Sequence, residues 1–218
     1  MHVTRRRREG GRWLQSFVVL ACLAASPASA QPANPRPTGW KIEQGVEIPS
    51  YAAVEPTTTN LNVDMVVLAC EETRKRKIMQ LQLYLSDDGP LRPIGASPGE
   101  LRDDPRASIS IGAQEFPVAL LFADDHTVLA DSTEDRFPAL SDRLIEALQT
   151  GPTMILHFDL GAERPGRPAS FDGEATVDLR AAGGREAIAA MRRCADRAGE
   201  ALRSTRGACG FASAACGP

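Results

Sequence analysis

Polar and apolar residues alternate most cleanly over Lys77–Leu85. Met79, Leu81, Leu83 and Leu85 fall on one side, and Gln80, Gln82 and Tyr84 on the other. A period of two marks a strand with one covered face. Met65 to Cys70 is continuously apolar and short, as a buried strand is, and the all-polar Glu71–Arg76 between the two predicts a hairpin. Alternation returns over Thr153–Leu160, with Met154, Leu156, Phe158 and Leu160 inward. Shorter apolar runs predict strands at 40–46, 51–54, 107–111, 116–122, 127–130 and 175–179.

Two stretches follow the helical period instead. Ser141 is an N-cap residue, Asp142 suits the first turn, and Gly151-Pro152 stops the helix. Leu140 and Ile145 occupy the staple positions, and Leu144, Ile145 and Leu148 form one apolar face. A second helix is predicted over 184–203, where Ala187, Met191, Cys194, Ala198 and Leu202 recur on one side. Many strands on short polar links with two helices predict an α+β domain over 40–203. It is mainly an antiparallel sheet or sandwich, with one short helix and a longer C-terminal one. Residues 31–39 read as a Pro-rich spacer and 204–218 as a Gly/Ala-rich tail. Residues 86–106 hold four prolines and three glycines and predict a long loop, either functional or a mobile insertion.

The first thirty residues belong to another class. Arg5–Arg8 and Arg12 precede the apolar run 13–25, and Ala28-Ser29-Ala30 ends it. This is the pattern of a secretory signal peptide, too short for a comfortable membrane span. An alternative use of the segment is a lipid anchor at Cys22, after Val19-Leu20-Ala21. Removing residues 1–30 takes away five arginines and one glutamate. The remainder has 20 basic and 27 acidic residues, so a formal charge of −3 becomes about −7. An acidic mature chain carries the wrong field for nucleic acid or anionic lipid.

Export changes the meaning of the cysteines. Cys70, Cys194, Cys209 and Cys216 remain, and four cysteines in an oxidising compartment predict two disulfides with three pairings. Cys70 ends an apolar strand and Cys194 lies on an apolar helix face, which favours their pairing and leaves Cys209 with Cys216 across a short segment. No C-x-x-C is present, and only His126 and His157 remain, so neither a metal site nor a cofactor is expected.

No catalytic residue is assigned. His157 sits on the strand face opposite Met154, Leu156 and Phe158, and His126 in a turn with Asp124 and Asp125. Gly95-Ala96-Ser97-Pro98-Gly99 has the letters of a nucleophile elbow, but Pro98 offers no N–H to an oxyanion. The acidic stretches 87–89 and 131–135 lack the ligand spacing of a calcium loop and read as turns or solvated loops. The charged positions predicted to contact a partner are Arg74, Lys75, Arg76 and Lys77 at the hairpin tip. Asp87, Asp88, Asp103 and Asp104 in the long loop complete the set.

The stretch 140–151, Leu-Ser-Asp-Arg-Leu-Ile-Glu-Ala-Leu-Gln-Thr-Gly, leads into Met154-Ile155-Leu156-His157-Phe158. It resembles the helix-then-strand passage of the invasion-associated locus B family, small exported proteins of alphaproteobacteria. Ile109-Ser110-Ile111 resembles that family's strand before the passage. Ala175–Leu179, followed by Ala187 and Ile188, resembles its closing strand and helix. The resemblance spans residues 107–193; the N-terminal half departs from it, because no cysteine closely follows Trp40. It implies an exported, host-interaction-related role and carries no catalytic residue.

The expectation is therefore a periplasmic or secreted, non-enzymatic binding protein whose partner belongs to the envelope or a host. It has no nucleic-acid partner and no transmembrane segment in the mature chain. A passive structural envelope protein and a hydrolase working through carboxylates are the alternatives. N-terminal sequencing of the exported protein should begin at Gln31; a start before it would overturn the signal assignment.

Overall fold

The computed structural model describes residues 39–123, 125–162 and 171–196. In chain order the strands are β1 (Lys41–Ile42), β2 (Tyr51–Val54), β3 (Thr58–Thr59), β4 (Val63–Glu72), β5 (Lys77–Leu85), β6 (Leu101–Ile111), β7 (Gln114–Phe122), β8 (His126–Ala130), β9 (Ser132–Glu134) and β10 (Phe137–Ala139). Helix α1 (Asp142–Thr150), β11 (Thr153–Gly161), β12 (Gly173–Asp178) and α2, described over 184–196, complete the order. The fold is α+β and mainly antiparallel, as the periodicities predict. The sheet is one curled layer rather than a sandwich.

Ten strands share that sheet in the order β1-β2-β4-β5-β8-β7-β6-β11-β12-β3, while β9 and β10 form a separate hairpin. Its curvature follows from a short connection. Laid flat, β2 and β3 would stand eight spacings apart, about 38 Å. Yet only four residue steps join Val54 to Thr58, a reach of about 14 Å. The sheet must curl until its ends meet. Trp40 fastens the seam: its Nε1 donates to the Asp178 carbonyl at 3.1 Å and its backbone N–H to the Ala182 carbonyl at 2.8 Å.

The curl encloses the main core. Leu68, Leu81, Leu83, Ile109, Leu129, Met154, Leu156 and Phe158 line it from the sheet. Leu144, Ile145 and Leu148 of α1, and Ala187, Ile188 and Met191 of α2, fill it from the helices. Ser141 caps α1 as expected, its Oγ accepting from Leu144 N at 3.2 Å. Asp131 in turn accepts from Ser141 N at 2.7 Å, which fixes the cap to the end of β8. At the other end of α1 only glycine fits, since a Cβ on Gly151 would stand 2.2 Å from Ile111 Cγ2. Of the face predicted for α2, Ala187, Met191 and Cys194 are buried; Ala198 and Leu202 lie outside the described residues.

Cys70 and Cys194 are joined by a disulfide between β4 and α2, and both are buried. Cys209 and Cys216, the signal segment and the tail lie outside the described residues.

Three expectations are corrected. The strand predicted over 40–46 is limited to Lys41–Ile42, and Trp40 serves as a buried anchor instead. The acidic stretch 131–135 is more than a turn or solvated loop. It builds β9 and the β9–β10 turn, where Asp135 and Arg136 have φ of 50° and 71°. Both central residues of such a hairpin turn need positive φ, and neither is glycine. The loop predicted over 86–106 ends early, because Leu101 already pairs with Gly161 of β11. A single 3-10 turn at Pro98–Glu100 precedes it.

The disulfide closes a separation of 124 residues. Replacing Cys70 and Cys194 together by alanine should lower the unfolding free energy by about 2–5 kcal/mol. The urea midpoint measures this, and an unchanged midpoint would refute a stabilising bond.

Candidate functional site

Antiparallel order gives the curled sheet two ends. One end collects the N-termini of β4, β6, β8 and β12 with the C-termini of β5, β7 and β11. Asp87, Asp88, Asp103, Asp104 and Asp125 all lie at this acidic rim. Arg74–Lys77 lie at the other end of β5, eight residue steps and about 27 Å away. The structure therefore gathers the predicted acidic positions and separates them from the basic ones.

The basic tip is largely engaged within the fold. Lys75 Nζ lies 3.0 Å from Asp135 and Arg76 Nη2 lies 2.8 Å from Glu134, so the β4–β5 and β9–β10 tips hold each other. Such exposed pairs contribute about 0–1 kcal/mol each. Thr73 Oγ1 donates to the Arg76 carbonyl at 2.6 Å and closes the turn. Lys77 Nζ lies 4.0 Å from Cys194 Sγ. Arg74 alone of the four makes no ion pair or side-chain hydrogen bond among the described residues.

The acidic loop begins with a well-tied turn. Asn62 Nδ2 donates to Asp87 Oδ1 at 3.1 Å and to the Pro90 carbonyl at 3.0 Å, while its Oδ1 accepts from Arg92 N at 2.9 Å. Asp87 also accepts from Gly89 N at 3.0 Å and, through both oxygens, from the Arg92 guanidinium at 3.1 and 2.8 Å. Leu91 is buried beneath this turn. A residue 25 positions upstream thereby ties down the start of the segment. Asp87 holds the turn together. Asp88 lies exposed beside it, and Asp103 and Asp104 are exposed on β6 rather than in a loop.

A cleft of about 470 Å³ opens between this turn and the β7–β8 connection, lined by Asp87, Asp88, Phe122, Asp125 and His126. His126 is not a plain turn residue. It starts β8 opposite Tyr84 and stacks on that ring, with centroids 5.4 Å apart and planes at 21°. Its Nδ1 donates to Asp125 Oδ1 at 2.6 Å, which holds the Asp125 carboxyl below the usual range. Burial pushes the Tyr84 phenol up, helped by the charges of Asp125 and Glu71.

A second polar group lies on the outer face. Register sets Ser108, His157 and Glu174 side by side on β6, β11 and β12. His157 Nδ1 lies 3.6 Å from Glu174 Oε2, and Phe171 packs against the imidazole at 5.6 Å. The row has the residue types of a nucleophilic triad. However, Ser108 Oγ is buried and has no hydrogen-bond partner among the described residues, so it is not joined to His157 as a triad serine would be. Two positions along β11, buried Asp159 accepts from Arg102 Nη1 at 2.5 Å and from Arg106 Nε at 3.0 Å. Period-two parity puts His157 and Asp159 on one face, but only the pairing of β6 with β11 brings the arginines to the acid.

Among the described residues, no group of three His, Cys, Asp or Glu side chains could hold a metal ion. No described helix is long and apolar enough to cross a membrane. Comparisons with family models, curated proteins and solved structures find no match to this chain.

The hydrogen bonds of Gly89, Arg92 and Asn62 lower the Asp87 pKa from its ordinary 3.8. A lowered folded-state pKa adds stability above the ordinary value and loses it as pH falls through the folded one. Asp87→Asn should therefore lower Tm at pH 7. The gap between variant and parent should shrink as pH falls below about 3.8. A gap that stays constant down to pH 2 would overturn the role given to the carboxylate.

Proposed function

We propose that this chain is an exported binding module that engages a polypeptide of the envelope or a host through its acidic rim. The reading rests chiefly on one observation. Asp88 after β5 and Asp103 and Asp104 on β6 stand exposed at one end of the sheet, and Asp88 shares the cleft there with Phe122, itself 57% exposed. A rim whose Asp88, Asp103 and Asp104 make no ion pair among the described residues, beside an exposed aromatic ring, suits a basic partner surface with some apolar area. The N-terminal signal pattern and the disulfide are consistent with an oxidising compartment, periplasmic or extracellular. The resemblance to the invasion-associated locus B family points the same way. The module acts without a cofactor, and its net negative charge argues against nucleic acid.

The test is affinity capture from envelope extracts with the parent protein and an Asp88→Lys/Asp103→Lys/Asp104→Lys variant. These residues are exposed, so the variant should keep the parent's Tm to within a few degrees. The parent should retain partners that elute with moderate salt, and the variant should lose them. Equal capture by both proteins would remove the rim from consideration.

A further inference from the structure

The sheet is split at the acidic rim. β6 and β7 pair from Ile111↔Gln114 to Ala107↔Val118 and no further. Beyond that point β6 continues along β11, and β7 continues along β8 from Ala119↔Ala130 to Phe122↔Thr127. The prolines explain the parting. In an antiparallel pair, alternate residues direct both N–H and C=O toward the same neighbour. Pro117 stands opposite Ser108 and precedes the first β7–β8 pair. A proline is tolerated where its missing N–H faces no partner strand, so Pro117 faces away from β6. By alternation Val118, Leu120 and Phe122 turn their backbone groups toward β6. The next residue of β6 on that side after Ala107 is Pro105, which has no N–H to give. The ladder stops there. No described strand pairs with Leu120 or Phe122 on the side that faces β6.

We propose that this open edge of β7 binds an extended segment of a partner by strand addition, the segment alternating apolar and basic residues. The proposal rests on the acidic-rim reading and names its mode. Main-chain bonds to Leu120 and Phe122 supply the template. Pro117, Ala119 and Leu121 of β7 line one side of a groove of about 540 Å³, whose other side, toward β8–β10, holds Asp131, Arg136 and Pro138. Leu121 is 40% exposed. One row of the partner's side chains lies along these apolar residues. Across the split stand the exposed Asp103 and Asp104 of β6, which favour lysine or arginine in the segment. A second copy of this chain is disfavoured as occupant, because edge-to-edge pairing brings two sets of these aspartates together. Long exposed edges are normally blunted by charge or by cover, and Leu120-Leu121-Phe122 carry no charge.

Amide hydrogen exchange on the whole mature protein tests this, with a labelled heptapeptide alternating valine and lysine as the probe. A valine–glutamate peptide serves as the counterpart. In the free protein, Leu120 and Phe122 amides should exchange fast while Ala119 and Leu121 are protected. The lysine peptide should slow the first pair; the glutamate peptide should not. Asp103→Lys/Asp104→Lys should weaken lysine-peptide binding by about tenfold or more. Absence of binding, binding that leaves Leu120 and Phe122 unprotected, or protection of both without peptide overturns strand addition. Protection that instead grows with protein concentration assigns the edge to a second copy and also overturns it. If envelope partners are lost from the rim variant while the peptide gives no protection, strand addition falls and the acidic-rim reading stands.

Discussion

A four-step connection between opposite ends of a ten-stranded sheet governs this molecule. Because Val54 and Thr58 cannot separate by more than about 14 Å, β2 and β3 must be brought together, and only a strong curl achieves it. Everything else follows from that closure. The inner face becomes one enclosed core, the two helices become its filling, and the strand ends become two rims with different chemistry. Trp40 secures the closure at a place where a flat sheet would have two distant edges. The rim that results gathers loops from β4 to β12, so residues remote in sequence come to share one surface.

The sequence announces those parts of the fold that depend on local periodicity. β5, β11 and α1 stand where alternation, cap and stop place them, and Cys70 and Cys194 meet because each sits on a core-facing position. What it conceals depends on partners far along the chain. The 86–106 segment has the composition of a loop, but Asn62 organises its start and β11 extends its end into a strand. The β9–β10 hairpin is hidden for a different reason. Its turn uses Asp135 and Arg136 at positive φ where glycine or asparagine would have been a visible cue. That unfavourable backbone is accepted alongside contacts from Lys75 and Arg76.

The candidate site divides in the same way. The identity of the charged residues was legible, but their grouping was not. Acids from β6 and from the β5–β6 and β7–β8 connections converge at one rim, while the basic run at the other end of β5 is half engaged by Glu134 and Asp135. The split between β6 and β7 could not be read without the register. Once the register is known, Pro105 and Pro117 account for it, because each lies where a ladder bond is missing rather than where one is broken.

The seam has a consequence for timing. A ribosome delivers the chain N-terminus first, yet Trp40 bonds a residue 138 positions later, and Cys70 waits 124 positions for Cys194. Thr58 and Thr59 likewise have no sheet partner until β12 has emerged. Until then the first strands expose a row of apolar side chains, Val66, Leu68, Leu81 and Leu83 among them, that the finished molecule buries. The native sheet therefore closes only after β12 and α2 have been delivered. Until then the polypeptide is a client for whatever holds unfolded chains apart.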